Sequence, residues 1–206
     1  MGQVRFAWTR KQRAPLTQAL CVYRKKMDYF ESIIKTILEY EGYWVRQSFK
    51  INVTKEEKRQ IGKHTIPRPE VDILAYKPSN NNLLVIEAKS YFDNPGVRLD
   101  DLQKEYEKPE GGYKLFTCEN YRKIVFNRLK KDLIKIGMVN QDTNISLGLA
   151  AGNVFQNKSN EINEYFISKK WLFISPEDIK EKVTNLATMG YENEPAVITA
   201  KILTRT

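Results

Sequence analysis

The chain has 206 residues, 41% hydrophobic and 29% charged, which suits one domain with a sizeable core and room for a small appendage. It carries 34 Lys and Arg against 25 Asp and Glu, a net charge of +9, and the first 60 residues hold 13 of those bases against 6 acids; an excess clustered in this way is the footprint of a polyanion binder. No apolar run approaches the roughly 18 residues of a membrane span, and no apolar segment follows the basic start, so the expected location is cytoplasmic with no membrane partner. Two cysteines, Cys21 and Cys118, read as reduced small hydrophobes, and with His64 as the single histidine they leave too few soft ligands for zinc. Any metal would be held by oxygen.

In chain order, residues 1–23 read as a basic N-terminal arm without clear periodicity. From Asp28 the apolar residues Phe30, Ile33, Ile34, Ile37 and Leu38 recur at helical spacing, with Gly42 as the stop. Residues 43–53 read as a strand, followed by a basic segment with a single helical turn between Thr54 and Gly62. Two apolar runs, Val71 to Tyr76 and Leu83 to Ala88, joined by Pro78-Ser79-Asn80-Asn81, predict a β-hairpin. A loop follows, then a short helix over residues 99–107 and a break at KPEGGY. Residues 119–137 predict the strongest later helix, with Val125, Leu129, Leu133 and Ile136 as its buried stripe. Residues 145–154 predict a buried strand. The remainder predicts a helix near residues 161–168, a short strand at 171–174, a helix opened by Ser175-Pro176-Glu177 and a last helix from about Asn193. Trp8, Trp44 and Trp171 read as packing residues.

The hairpin holds acids where a buried strand should not tolerate them. With its turn centred between Ser79 and Asn80, Asp72 lies opposite Glu87, and Lys89 shares their face because side chains alternate with period two. Opposed like charges repel by about 4 kcal/mol at an effective dielectric of 20. Lys89 offsets part of this, and a divalent cation would offset the rest. Two carboxylates beside the Ala88 carbonyl suggest Mg²⁺, with Mn²⁺ as a substitute, since Mg²⁺ takes oxygen ligands and keeps several waters.

The order helix, strand, hairpin bearing D-x14-E-x-K, helix, strand resembles the PD-(D/E)xK nuclease superfamily over about residues 24–155, with Pro69-Glu70 near the usual Pro-Asp. The resemblance implies an α/β restriction-endonuclease-like core, a central mixed sheet flanked by helices. Residues 156–206 are expected to form a helical C-terminal extension packed on that core. It also implies Asp72 and Glu87 as metal ligands, Lys89 as the residue assisting the attacking water, and Glu31 in FESIIKTILEYEGYWV as an added acid from the preceding helix. The expected activity is metal-dependent DNA endonuclease, leaving a 5′-phosphate, with Lys58, Arg59, Lys63 and Arg68 of the basic segment, and Arg122 and Lys123 of the later helix, contacting nucleic acid. The rival expectation is a non-catalytic nucleic-acid-binding or assembly module of the same fold; an RNA-processing nuclease would share the site. A homodimer and a partner protein are left open.

Each of these residues also has a plainer role. Asp28 and Glu31 fit a capping box. Glu87 and Lys89 fit an exposed ion pair worth about 0–1 kcal/mol. His64 fits a solvated loop, and the charges from Arg122 to Lys131 fit a solvated helix face.

Overall fold

The computed structural model describes residues 28–205; the basic arm at 1–23, with Trp8 and Cys21, lies outside them. Helix α1 (Tyr29–Tyr40) begins where Asp28 accepts the N–H groups of Phe30 at 2.9 Å and Glu31 at 3.3 Å, an N-cap that satisfies donors the first turn leaves open. It ends at Gly42, whose φ of 85° is open to glycine at no steric cost. Strand β1 (Trp44–Lys50) leads to α2 (Lys55–Ile61), capped reciprocally by Thr54 and Glu57. Strands β2 (Glu70–Lys77) and β3 (Asn82–Lys89) form the expected hairpin, turned by a 3₁₀ stretch at Pro78–Asn80. Then follow α3 (Leu99–Leu102), α4 (Lys114–Thr117), α5 (Glu119–Lys135), β4 (Asn144–Ala151), α6 (Ser159–Ser168), β5 (Leu172–Ile174), α7 (Pro176–Leu186) and α8 (Pro195–Thr204).

The strands form one five-stranded sheet in the order β1-β2-β3-β4-β5. The first three are antiparallel, and β3, β4 and β5 run parallel. The sheet is therefore mixed, and both faces are covered. On one face, Leu74, Leu83, Val85, Leu147 and Leu149 pack with Tyr121, Val125, Leu129 and Leu133 of α5 and Ile162 and Phe166 of α6. On the other, Ile73, Ala75, Leu84 and Ile86 pack with Phe30, Ile34, Ile37 and Leu38 of α1 and with residues of α7 and α8. Period-two alternation sorts the hairpin residues between the two layers from Ile73 onward, whereas Val71 lies in the same layer as Leu74, so the alternation breaks at Asp72. Among the described residues no helix is long and apolar enough to cross a membrane.

Several local expectations need correction. The helix over 99–107 stops at Leu102, because Tyr106 donates its N–H to the Thr117 carbonyl at 2.8 Å and draws the chain away from the helical path. Ile136 is not in the buried stripe of α5: the helix ends at Lys135, Gly137 turns the chain at φ 73°, and Ile136 is 55% exposed, while Tyr121 supplies the missing apolar contact at the other end. Trp44 is 72% exposed at the start of edge strand β1 and is not a packing residue. Residues beyond 155 are part of the core itself: β5 extends the same sheet beside β4, and Phe166 and Phe173 belong to the larger apolar cluster.

Candidate active site

The β2–β3 ladder pairs Ile73 with Ile86 and Tyr76 with Leu83, the register that puts Asp72 opposite Glu87. The ladder stops at Ile73–Ile86, whereas β3 stays paired with β4 as far as Lys89–Ala151. Beyond the last bridge the strands part, and Oδ2 of Asp72 accepts the Ala88 N–H at 2.8 Å in place of a backbone carbonyl. On the other side of β2 the ladder with β1 pairs Gln47 with Ile73 and Phe49 with Val71, and the intervening Ser48, at φ 52°, breaks it opposite Asp72. A non-glycine residue in this region is uncommon and marks a local departure from strand geometry. Asp72 thus stands where β2 loosens from both neighbours.

Lys89 donates from Nζ to Oε1 of Glu87 at 2.6 Å, and the two side chains are only 19% and 18% exposed. That burial separates them from an ordinary surface ion pair, whose charges would be screened by water. Burial and the neighbouring Glu87 push the Asp72 carboxyl up to about 6, with Asp28 adding to the rise and the Ala88 N–H and Lys89 opposing it. For Lys89, burial disfavours the charge, but Glu87 and Asp72 outweigh it and hold the ammonium above its ordinary range. Lys89 is therefore a cationic donor at neutral pH.

Glu87 opens into a cleft lined by Pro69, Val71, Lys114, Leu115 and Tyr121. Burial first, and Glu87 second, push the Tyr121 phenol up to about 12. Burial and a hydrogen bond with Tyr91 raise that of Tyr113 further, with smaller contributions from Asp101 and Glu87. Both phenols stay neutral beside the carboxylates. The end of β3 is held close to β4: Gly152 donates to the Lys89 carbonyl at 2.8 Å, and a Cβ on Gly152 would come within 2.4 Å of the Ser90 carbonyl oxygen.

Of the residues expected at the site, Asp72, Glu87, Ala88 and Lys89 are brought together, Ala88 through its N–H. Glu31 lies in the first turn of α1, in the layer against Ile73 and Ile86. Among the described residues no group of three or more His, Cys, Asp or Glu side chains is arranged to hold a metal. Asp28, expected only as a cap, has a charge that bears on Asp72. Tyr121 and Lys114 were not expected at the site at all; the sequence carries no local signal for them, because α5 and the turn before it reach Glu87 only through packing on the sheet.

The basic residues divide by what they hold. Lys63 donates to the Pro109 carbonyl at 2.5 Å and ties the loop before β2 to the loop before α4, while Arg68 reaches the Lys50 carbonyl at 3.3 Å. Arg59, His64 and Arg68 are exposed, and Lys58 partly so. Arg122 is absorbed by the fold: it donates to the carbonyls of Leu115 at 2.8 Å and Phe116 at 3.2 Å, and its guanidinium lies 5.1 Å from the centroid of Trp171. Burial lowers its pKa from the ordinary arginine value. Lys123 forms an exposed i,i+4 pair with Glu119 at 2.6 Å. Arg128 clamps Glu57 and so binds α2 to α5, and Lys130 donates to the Thr143 carbonyl at 2.9 Å. Much of the charge on α5 therefore holds the helix to its neighbours. No protein-family model, curated protein or solved structure matches the chain at a significant level.

Proposed function

We propose that the chain is a metal-dependent phosphodiesterase acting on DNA, an endonuclease whose core is of the restriction-endonuclease type. The observation that carries this reading is the part-buried Asp72–Glu87–Lys89 set at the place where β2 parts from β3. Two part-buried carboxylates, where burial first and Glu87 second raise the Asp72 pKa, are a donor set suited to a hard cation that keeps most of its waters, Mg²⁺ or Mn²⁺. Asp72 and Glu87 would hold it, with the Ala88 carbonyl as a further oxygen. When bound, such a cation polarises the scissile phosphate and makes a water more acidic.

The protein's own groups have separable tasks. Lys89, kept charged by Glu87 and Asp72, orients a water by donation and stabilises negative charge that develops on the phosphate oxygens; its raised pKa disfavours the alternative in which it takes the proton. The Ala88 N–H fixes the Asp72 carboxylate. The neutral phenol of Tyr121 limits the cleft without adding a charge that would repel phosphate. The experiment is incubation with supercoiled plasmid and Mg²⁺, with and without EDTA. Nicked or linear product that disappears with EDTA is expected; an unchanged plasmid across Mg²⁺ and Mn²⁺ overturns the enzyme and leaves the binding or assembly module. A parallel incubation with RNA separates the RNA-processing reading.

Affinity is assigned to the basic residues of the segment before β2. Changing Lys58, Arg59, Lys63 and Arg68 together to Ala is expected to weaken binding to all DNA sequences alike, because phosphate contacts carry no base information. Each lost contact removes about 0.9 from the slope of log K against log salt, so the four together flatten it by up to about 3.6. A salt titration in which wild type and variant share one slope removes this segment from the interface.

A further inference from the structure

Beside the cleft lies a second hollow that no part of the proposed reaction uses. Leu115 lines the cleft with Glu87, and the next two residues, Phe116 and Thr117, line the hollow, so the two share a wall. Its floor is aromatic: Trp171 stands edge-on to Phe116 at 5.4 Å and to Tyr165 at 6.1 Å between ring centroids. Arg122 sits over Trp171, and Lys169 lies 5.6 Å from the Tyr165 centroid. At the rim, the carboxylates of Glu105 and Glu107 have no hydrogen bond or ion pair among the described residues.

These features restrict the ligand. The protein's own cations already lie over Trp171 and Tyr165, so a cationic ligand finds those ring faces taken. The lining sets Lys104, Arg122 and Lys169 against Glu105, Glu107 and Glu119, so it has no net positive charge to hold a phosphate. What the two rim carboxylates accept is N–H donors from a neutral group. A planar ring able to stack on the Arg122 guanidinium that covers Trp171, with adjacent N–H donors for a carboxylate and an acceptor for a guanidinium, meets all three conditions. Among the components of nucleic acid, guanine has that pattern, combining N–H donors on its pairing edge with the O6 and N7 acceptors favoured by Arg.

We infer that this hollow binds one unpaired nucleobase, guanine in preference, from a strand whose phosphate lies in the adjoining cleft, and that it selects which phosphate is presented to Asp72, Glu87 and Lys89. The inference rests on the nucleic-acid reading of the site, but its test does not require cleavage. In the full-length chain, Trp8→Phe with Trp44→Phe leaves Trp171 as the only tryptophan of the three. Its fluorescence is followed in titrations with guanosine, adenosine, cytidine and uridine in the absence of metal. Saturable quenching is expected, tightest for guanosine. Adding Glu105→Gln and Glu107→Gln, two exposed positions that leave the aromatic floor intact, should weaken guanosine binding about 10-fold, the loss of roughly one charge-assisted hydrogen bond. No saturation with any nucleoside, equal affinity for all four, or an unchanged guanosine affinity in the double glutamine variant overturns the inference. Tighter saturation by tetramethylammonium also overturns it, in favour of a cation cage. Because a nucleoside has no phosphodiester, these outcomes are independent of whether plasmid is cut.

Discussion

Lys89→Ala is expected to reduce phosphodiester cleavage by at least about 10²-fold while DNA affinity stays nearly unchanged. Removing one preorganised donor aimed at developing charge costs about 10²–10³ in turnover, whereas affinity arises from phosphate contacts spread over other residues. The same substitution has a cost in stability. It leaves Glu87 without its 2.6 Å partner beside Asp72 in a part-buried setting, where taking away one member of a pair leaves an uncompensated charge. Turnover is therefore measured well below the melting temperature of the variant, and Lys89→Met, which keeps the apolar stem, serves as a second probe. Retained turnover in both variants sinks the assigned role. Lost binding would instead move Lys89 to the DNA interface.

Asp72→Asn is expected to raise the melting temperature of the metal-free protein and to abolish the stabilisation that Mg²⁺ gives the wild type. The sign follows from the proton balance. The Asp72 carboxyl, ordinarily near 3.8, is pushed up to about 6 in the folded chain, so the folded state holds that proton more tightly than the unfolded state. The wild type then loses stability as pH rises from about 3.8 to about 6, and the loss is complete above that window. At 1.36 kcal/mol per pKa unit it is on the order of 3 kcal/mol. An asparagine avoids it and can still accept the Ala88 N–H, although it gives up attraction to Lys89. A rise of roughly 5 °C at neutral pH is expected for a chain of this size. Melts of wild type and variant from pH 4 to pH 8, at matched ionic strength, should converge at the acidic end and separate toward neutrality. In the wild type, millimolar Mg²⁺ should close the gap, because binding to the folded state alone stabilises it by mass action. Curves that do not separate, or a wild-type melt indifferent to metal, would remove Asp72 and Glu87 as a ligand pair.

The hairpin shows how much of a candidate site can be read from a one-dimensional pattern. Its two apolar runs, the even-numbered link and Pro78 are local features, so the hairpin and its register from Ile73–Ile86 to Lys77–Asn82 followed without knowledge of the rest of the chain. The N-cap at Asp28 and the stripe Val125, Leu129 and Leu133 were legible for the same reason: each depends on residues within a turn or two of one another. Glu31 was chosen as the helix acid from its place in the sequence, but what an acid on α1 does at Asp72 depends on how the helix lies across the sheet, and it is Asp28 whose charge bears on that carboxyl.

What only the tertiary structure decided involves partners far away in the chain. That β2 parts from β3 beyond Ile73–Ile86 depends on β4 holding β3 and on Ser48 of β1 releasing Asp72. Arg122 and Arg128 read as part of a charged helix face until Leu115, Phe116, Trp171 and Glu57 are seen to hold them. Tyr121 and Lys114 reach Glu87, and Trp171 meets Arg122, only because β5, α5 and the turn before α5 pack on one sheet. By itself the sequence determined the long helices α1 and α5 and the hairpin register, since backbone periodicity and turn chemistry act over a few residues. The burial that raises Asp72, the pairing of a charged Lys89 with Glu87 and the division of the basic residues between fold and surface came from the packed structure, because desolvation and ion pairing depend on which distant groups exclude water from a given atom.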